Sequence, residues 1–186
     1  MSFEKFFVTP ENALFVIIDM QEKLAKAMKE DILEKTVKNI VTFIELCKLY
    51  QIPIIFTEQY PKGLGKTLEE IKTLINEEAI EKISFSSAGE EKFISKIRDI
   101  GRQKIILTGM ETHVCVWQTA LDLLQRDYHV FVPYDAVCSR KKQDWEIGIE
   151  LMKNAGAVIT CTETLIFQLL KKAGTAEFKK MLEFIK

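Results

Sequence analysis

Short, almost unbroken apolar runs alternate along this chain with stretches whose apolar residues recur every third or fourth position. The runs at 13–20, 52–57, 105–107, 128–133 and 157–159, with a short strand followed by a loop in 81–86, predict six β-strands. Runs apolar on both faces suit parallel strands covered above and below. The intervening stretches predict helices. Leu33, Val37, Ile40, Val41, Ile44 and Cys47 form one stripe, with Asp31 as the expected N-cap. Phe93, Ile94 and Ile97 define a helix over 90–100 that Gly101 stops. Val116, Ala120, Leu123 and Leu124 define the next, and helices follow over 144–153 and 162–170, the latter ended by Gly174. Residues 67–76 are weakly helical, and Phe178, Met181, Leu182 and Ile185 stripe a final amphipathic helix. Strand–helix alternation throughout predicts a three-layer αβα fold of Rossmann-like type: an open, mostly parallel six-stranded sheet with right-handed crossovers. No repeat, linker or composition break divides the chain, so residues 1–186 form one expected domain.

Composition narrows the function classes. At 186 residues and 47% hydrophobic, the chain supports a full-sized core. A net charge of −1 with no basic stripe argues against a nucleic-acid surface. The N-terminal stretch lacks a basic-then-apolar signal layout, and no apolar run approaches the ~20 residues that span a bilayer, so neither membrane nor export is expected. Cys47, Cys115, Cys138 and Cys161 are widely spaced, with no CxxC, which reads as reduced thiols in a cytoplasmic protein.

Candidate chemistry gathers at strand ends. In 104–126, KIILTGMETHVCVWQTALDLLQR, a strand, a turn and a helix place Cys115 near a helix N-terminus. Unpaired N–H groups and the dipole there stabilise a thiolate, which attacks carbonyl carbon; the other reading is a small buried apolar residue. Asp19 stands at the carboxyl end of the first strand, where open α/β sheets bind ligands, or caps the segment that follows. Lys82 taken alone is an ordinary surface lysine. Gly65-Lys66-Thr67 imitates the end of a phosphate-binding loop, but Tyr60 stands where that motif needs glycine and Pro61 removes an N–H, so a substrate-proximal loop is expected. Spacing alone does not bring Asp19, Lys82 and Cys115 together.

The segments ALFVIIDMQ, EQYPKGLGKT, EKISFS and TGMETHVCVWQTALDLLQRDYHVFVPYDAVCSR resemble the isochorismatase-like cysteine hydrolases. The resemblance runs over about 12–166, and the 60–67 loop is similar to the isochorismatase-domain-containing branch. It implies the isochorismatase-like hydrolase fold, and a triad of Asp19 as base, Lys82 as cation and Cys115 as nucleophile. It implies a non-proline cis peptide at Met110–Glu111 and an oxyanion site from the backbone amides of Glu111 and Cys115. Lys82 beside the thiol is expected to lower its pKa. The implied function is hydrolysis of a small amide-like or ureido C–N bond through a thioester.

No metal and no cofactor are expected, because the only histidines are His113 and His129 and Glu58-Gln59-Tyr60 stands where nicotinamidases carry Asp-x-His. Isochorismate cleavage is not expected either, since that vinyl-ether reaction uses no nucleophilic cysteine. Gln21, Tyr60, Phe85, His113 and Trp117 are candidate substrate contacts. Phe85 and Trp117 have a core reading as well, and His113 a loop-fixing one. Asp135 and Arg140 read as pins of a turn. The partners expected are a small-molecule substrate and further copies of the chain, as a dimer or larger, with the final helix as interface unless it packs on its own domain. A non-catalytic scaffold and a redox-active thiol protein, the latter drawing on Cys138, are the competing readings.

Overall fold

The first strand sits at the centre of the molecule, and its side chains alternate between two cores. In the computed structural model, which describes residues 3–185, β1 (Ala13–Ile18) is buried along its whole length. The other strands are β2 (Ile54–Gln59), β3 (Ile80–Lys82), β4 (Lys104–Met110), β5 (His129–Pro133), β6 (Val137–Cys138) and β7 (Val158–Thr160). The sheet runs β3-β2-β1-β4-β5-β7 and every pairing is parallel. β5 pairs with the start of β4, and β6 pairs with its end at Gly109 and Met110.

The helices are α1 (Glu22–Ala25), α2 (Glu30–Tyr50), α3 (Pro61–Leu64), α4 (Glu69–Lys72), α5 (Glu91–Ile100), α6 (Trp117–Leu124), α7 (Lys142–Ala155), α8 (Thr162–Leu170) and α9 (Ala176–Ile185). Ala13, Phe15 and Ile17 of β1 face a core shared with α2, α8 and α9. Leu14, Val16 and Ile18 face the other core, shared with α5, α6 and α7. Two-sided burial is the reason the strand reads as an unbroken apolar run. Strand order reverses between β1 and β4, which makes the crevice beyond their carboxyl ends the switch point of the sheet.

The αβα architecture and parallel sheet are as the pattern predicts, with several local corrections. Among the described residues there are seven strands, because two-residue β6 is too short to carry a periodic signal. The third is the short strand before a loop that 81–86 predicts, and the second continues through Glu58 and Gln59. Lys29, not Asp31, occupies the N-cap of α2. α8 ends at Lys171, whose φ is 58°, ahead of Gly174. α9 lies against α2 and α8 with Met181 fully buried and Phe178 and Ile185 half-buried against the same core, so its apolar stripe packs on its own domain. Among the described residues no helix is long and apolar enough to cross a membrane.

One glycine is required by the switch point itself. Gly109 has φ 112°, and a Cβ there would stand 2.0 Å from the Ile18 carbonyl oxygen on β1. Backbone on a central strand has nowhere to move. Gly109→Ala is therefore expected to leave little soluble folded protein. A denaturation midpoint within experimental error of wild type would contradict this.

Candidate active site

Asp19 follows β1 directly, in a left-handed conformation with φ 48°. That turn brings its carboxylate back over the sheet end, where the side chain is wholly buried. Thr57, near the end of β2, holds one oxygen: its hydroxyl donates to Asp19 Oδ1 at 2.7 Å and accepts from the Asp19 amide at 3.3 Å.

Lys82 reaches the same carboxylate from the end of β3. Its Nζ lies 2.8 Å from Asp19 Oδ2, with both side chains fully shielded from solvent. The ammonium also donates to Gln59 Oε1 at 2.6 Å, to the Phe85 carbonyl at 2.9 Å and to the Ser84 carbonyl at 3.1 Å. An ammonium has three protons. Four oxygens, these three and Asp19 Oδ2, thus share its protons.

Cys115 arrives from the other side of the switch point. β4 ends in a cis peptide between Met110 and Glu111, and residues Thr112–Val116 form one π-helical turn before α6 begins. The Glu111 carbonyl accepts from the amides of Val114 at 3.1 Å and Val116 at 3.2 Å. Such widened turns recur at functional sites. The Cys115 thiol lies within hydrogen-bonding reach of the Asp19 carboxylate and is only 6% exposed. Asp19, Lys82 and Cys115, from three separate elements, thus meet at one point.

Electrostatics there differ from the expectation. Burial pushes the Cys115 thiol up to about 12, helped by the neighbouring Asp19 charge; the Lys82 charge acts the other way and is outweighed. Burial also raises Asp19 above the usual carboxylate range, against the charge of Lys82 and the hydrogen bonds it accepts. The thiol is thus held neutral beside Asp19 and Lys82. Lys82 does not by itself ionise the thiol, because removing water from the sulfur costs more than one cation returns.

The π turn is pinned at both ends to the segment after β6. Glu111 Oε2 accepts from the Arg140 amide at 3.1 Å and from Arg140 Nε at 3.0 Å. His113 Nδ1 lies 3.0 Å from Ser139 Oγ, and its Nε2 lies 3.8 Å from Asp144 Oδ2. His113 takes its loop-fixing role. Gly148 of α7 backs the turn, since a Cβ there would stand 3.0 Å from the His113 amide nitrogen. Asp135 Oδ1 accepts from the amide and hydroxyl of Thr162 and so fixes the start of α8.

The other expected substrate contacts divide. Gln21 is buried with its side chain fully used: Nε2 donates to the carbonyls of Gln59 and Gly65, and Oε1 accepts from the Gln59 amide at 2.7 Å. It ties the 60–67 loop down instead of facing a ligand. Tyr60 is exposed, with its ring lying over Gly63. Phe85 is 56% exposed although its carbonyl turns inward to Lys82. Trp117 opens α6 half-buried against the second core. At the 60–67 loop, Glu58 of β2 accepts from the Thr67 amide at 2.8 Å and hydroxyl at 2.9 Å. The protein's own carboxylate thus occupies the donors that a phosphate loop would offer.

Thr57 and Gln59 escaped the sequence reading. Their only signal was three polar residues closing an apolar strand, and that pattern reads equally well as the start of a loop. Among the described residues no three His, Cys, Asp or Glu side chains converge in a metal-binding cluster. The four cysteines are free. Cys138 belongs to the core on the α2 face and Cys115 to the core on the opposite face, so the sheet separates them.

Comparison with known proteins places the chain in a family. The Isochorismatase domain model matches residues 13–164. Isochorismatase family protein 1B of Dictyostelium discoideum is 36% identical, over 96% of this chain and 88% of that protein. The solved structure of the MAR1 ribonuclease from Caenorhabditis elegans superposes with a TM-score of 0.88 at 34% identity, covering 96% of this chain and 92% of that one. The fold is shared, at 21% identity and TM-score 0.88, with the YcaC protein of Escherichia coli, described as an octameric hydrolase of unknown specificity; 96% of this chain and 90% of that one are covered. With a family model spanning the sheet from β1 to the start of α8, and relatives alike over nearly their full length, the chain belongs to the isochorismatase family.

Proposed function

We propose that this chain is a cysteine hydrolase of small amide-like or ureido C–N bonds, with Cys115 as nucleophile, Asp19 as general base and Lys82 as the fixed cation. The observation that carries the reading is the buried Asp19–Lys82 ion pair at 2.8 Å with the Cys115 thiol within hydrogen-bonding reach of its carboxylate. A carboxylate in that position can take the thiol proton.

Asp19 takes the thiol proton as sulfur bonds to the carbonyl carbon. The carbonyl electron pair moves to oxygen, which the amides of Glu111 and Cys115 receive. The tetrahedral adduct collapses, the C–N bond breaks, and the leaving amine takes the proton from Asp19. Water then gives a proton to Asp19 and attacks the thioester, and collapse of the second adduct releases the acid and returns the proton to sulfur. Lys82 keeps its charge throughout. It stabilises the carboxylate before transfer and the thiolate after it.

A near-neutral chain with a recessed thiol supports a small substrate over a polynucleotide. The ribonuclease name of the Caenorhabditis neighbour makes RNA the comparison to run. The test is a screen of small amides, ureido and carbamoyl compounds, isochorismate and a structured RNA, each with and without chelator. Turnover of a C–N substrate that survives chelation supports the reading. RNA cleavage by an otherwise inactive preparation would overturn it. The free thiols support a reducing, cytoplasmic setting.

A homo-oligomer is part of the same proposal. Ile83 (71% exposed) and Phe85 stand bare beside Lys82, an apolar rim that a second copy would cover. Light scattering at micromolar concentration is expected to return at least a dimer, and a monomeric mass would sink this part.

A further inference from the structure

A groove of about 360 Å³ opens between the starts of α2 and α7, bounded by the segment after β5. None of Asp19, Lys82 and Cys115 lines it. It shares only a wall with the nucleophile turn: Ser139 and Arg140 line the groove and also hold His113 and Glu111.

Its wall is aromatic and its rim is cationic. Tyr134 and Trp145 meet edge to face with ring centroids 6.1 Å apart. The Trp145 indole N–H donates to the Tyr134 carbonyl at 3.2 Å, which fixes the slot. Lys29, Lys35, Arg140 and Lys142 surround it. Arg140 is held by Glu111 and Lys142 by Glu146, whereas Lys29 and Lys35 have no ion pair among the described residues. Two carboxylates, Asp31 and Asp135, share the lining, so its four cations outnumber its acids by two.

Local helix chemistry adds little to this balance. α2 and α7 both begin from a lysine, Lys29 and Lys141, and neither has a side-chain cap, while Glu30, Asp31 and Asp144 in their first turns offset the lysine charge. The positive lining therefore rests on the side chains of the groove itself.

We propose that this groove binds a small organic anion with a planar ring, its phosphate or carboxylate against Lys29 and Lys35 and its ring against Tyr134 and Trp145. The volume lies at the small end of the range for such ligands. The test is isothermal titration of the full chain with phenyl phosphate, benzoate and inorganic phosphate. Binding is measured without turnover, so failure of the hydrolase reading leaves the result intact.

At least one ring-bearing anion is expected to bind saturably, with inorganic phosphate weaker by about ten-fold or more for want of the ring. Lys29→Ala/Lys35→Ala, on exposed helix-start positions, is expected to weaken binding by about ten-fold or more. Trp145→Leu is expected to weaken the ring-bearing anions and not inorganic phosphate. No saturable binding of either ring-bearing anion below about 10 mM overturns the proposal, as does equal affinity in wild type and the double-lysine variant. A double-lysine variant that changes the sedimentation coefficient without changing affinity also overturns it, and assigns the groove to contact between copies.

Discussion

Cys115→Ala is expected to reduce C–N hydrolysis by about 10³-fold or more while leaving the protein folded, as removal of a covalent nucleophile typically does. The fold survives because the side chain is small and buried at the edge of a core, so its loss opens little space. Asp19→Asn is expected to fall as far. The amide keeps the shape and the Thr57 hydroxyl contact but takes no proton from a thiol that sits near 12. Since the two residues act in one proton transfer, the double variant is expected to be scarcely worse than either single one.

The pH dependence has a defined sign. Activity needs Asp19 ionised, so it rises with pH through a midpoint above the ordinary carboxylate range. It shows no second rise from thiol ionisation below about 12. Steady-state rates across pH with a small amide check this. Activity that persists in Cys115→Ala and disappears with chelator would replace the thiolate with a metal-bound water.

Lys82→Met is expected to cost both activity and stability, the latter by about 3–5 kcal/mol, the usual consequence of stripping one partner from a buried ion pair. The ammonium serves Asp19, Gln59 and the carbonyls of Ser84 and Phe85 together, so its loss also frees the chain after β3. Asp19 is then a buried carboxylate with no cation, and its folded-state pKa moves further above its unfolded value. A group raised in this way contributes stability that is complete below the unfolded pKa and lost as pH rises through the folded one. The variant is therefore expected to resist denaturant better near pH 5 than near pH 8. Lys82→Met/Asp19→Asn is expected to recover much of the stability and none of the activity. Denaturant titrations at the two pH values decide it: a double variant as unstable as Lys82→Met would show that the ion pair is not the source of the loss.

The sequence by itself determined the layers and the order of the elements, because a strand covered on both faces must be apolar throughout and a helix over a sheet must be apolar on one stripe. The run 13–18 and the stripe Phe93, Ile94, Ile97 state those requirements directly. Residues bearing the chemistry were legible as types at strand ends, and through likeness to a family, but not as neighbours. Asp19, Lys82 and Cys115 are joined only when β1, β3 and the turn after β4 come together at one edge of the sheet. Tertiary structure also decided the supporting cast. Thr57 and Gln59 carry no local pattern of their own, since their partners lie 38 and 23 residues away. It decided the charge state too. A lysine beside a cysteine suggests a thiolate, but burial at the switch point outweighs that single charge and keeps the proton on sulfur.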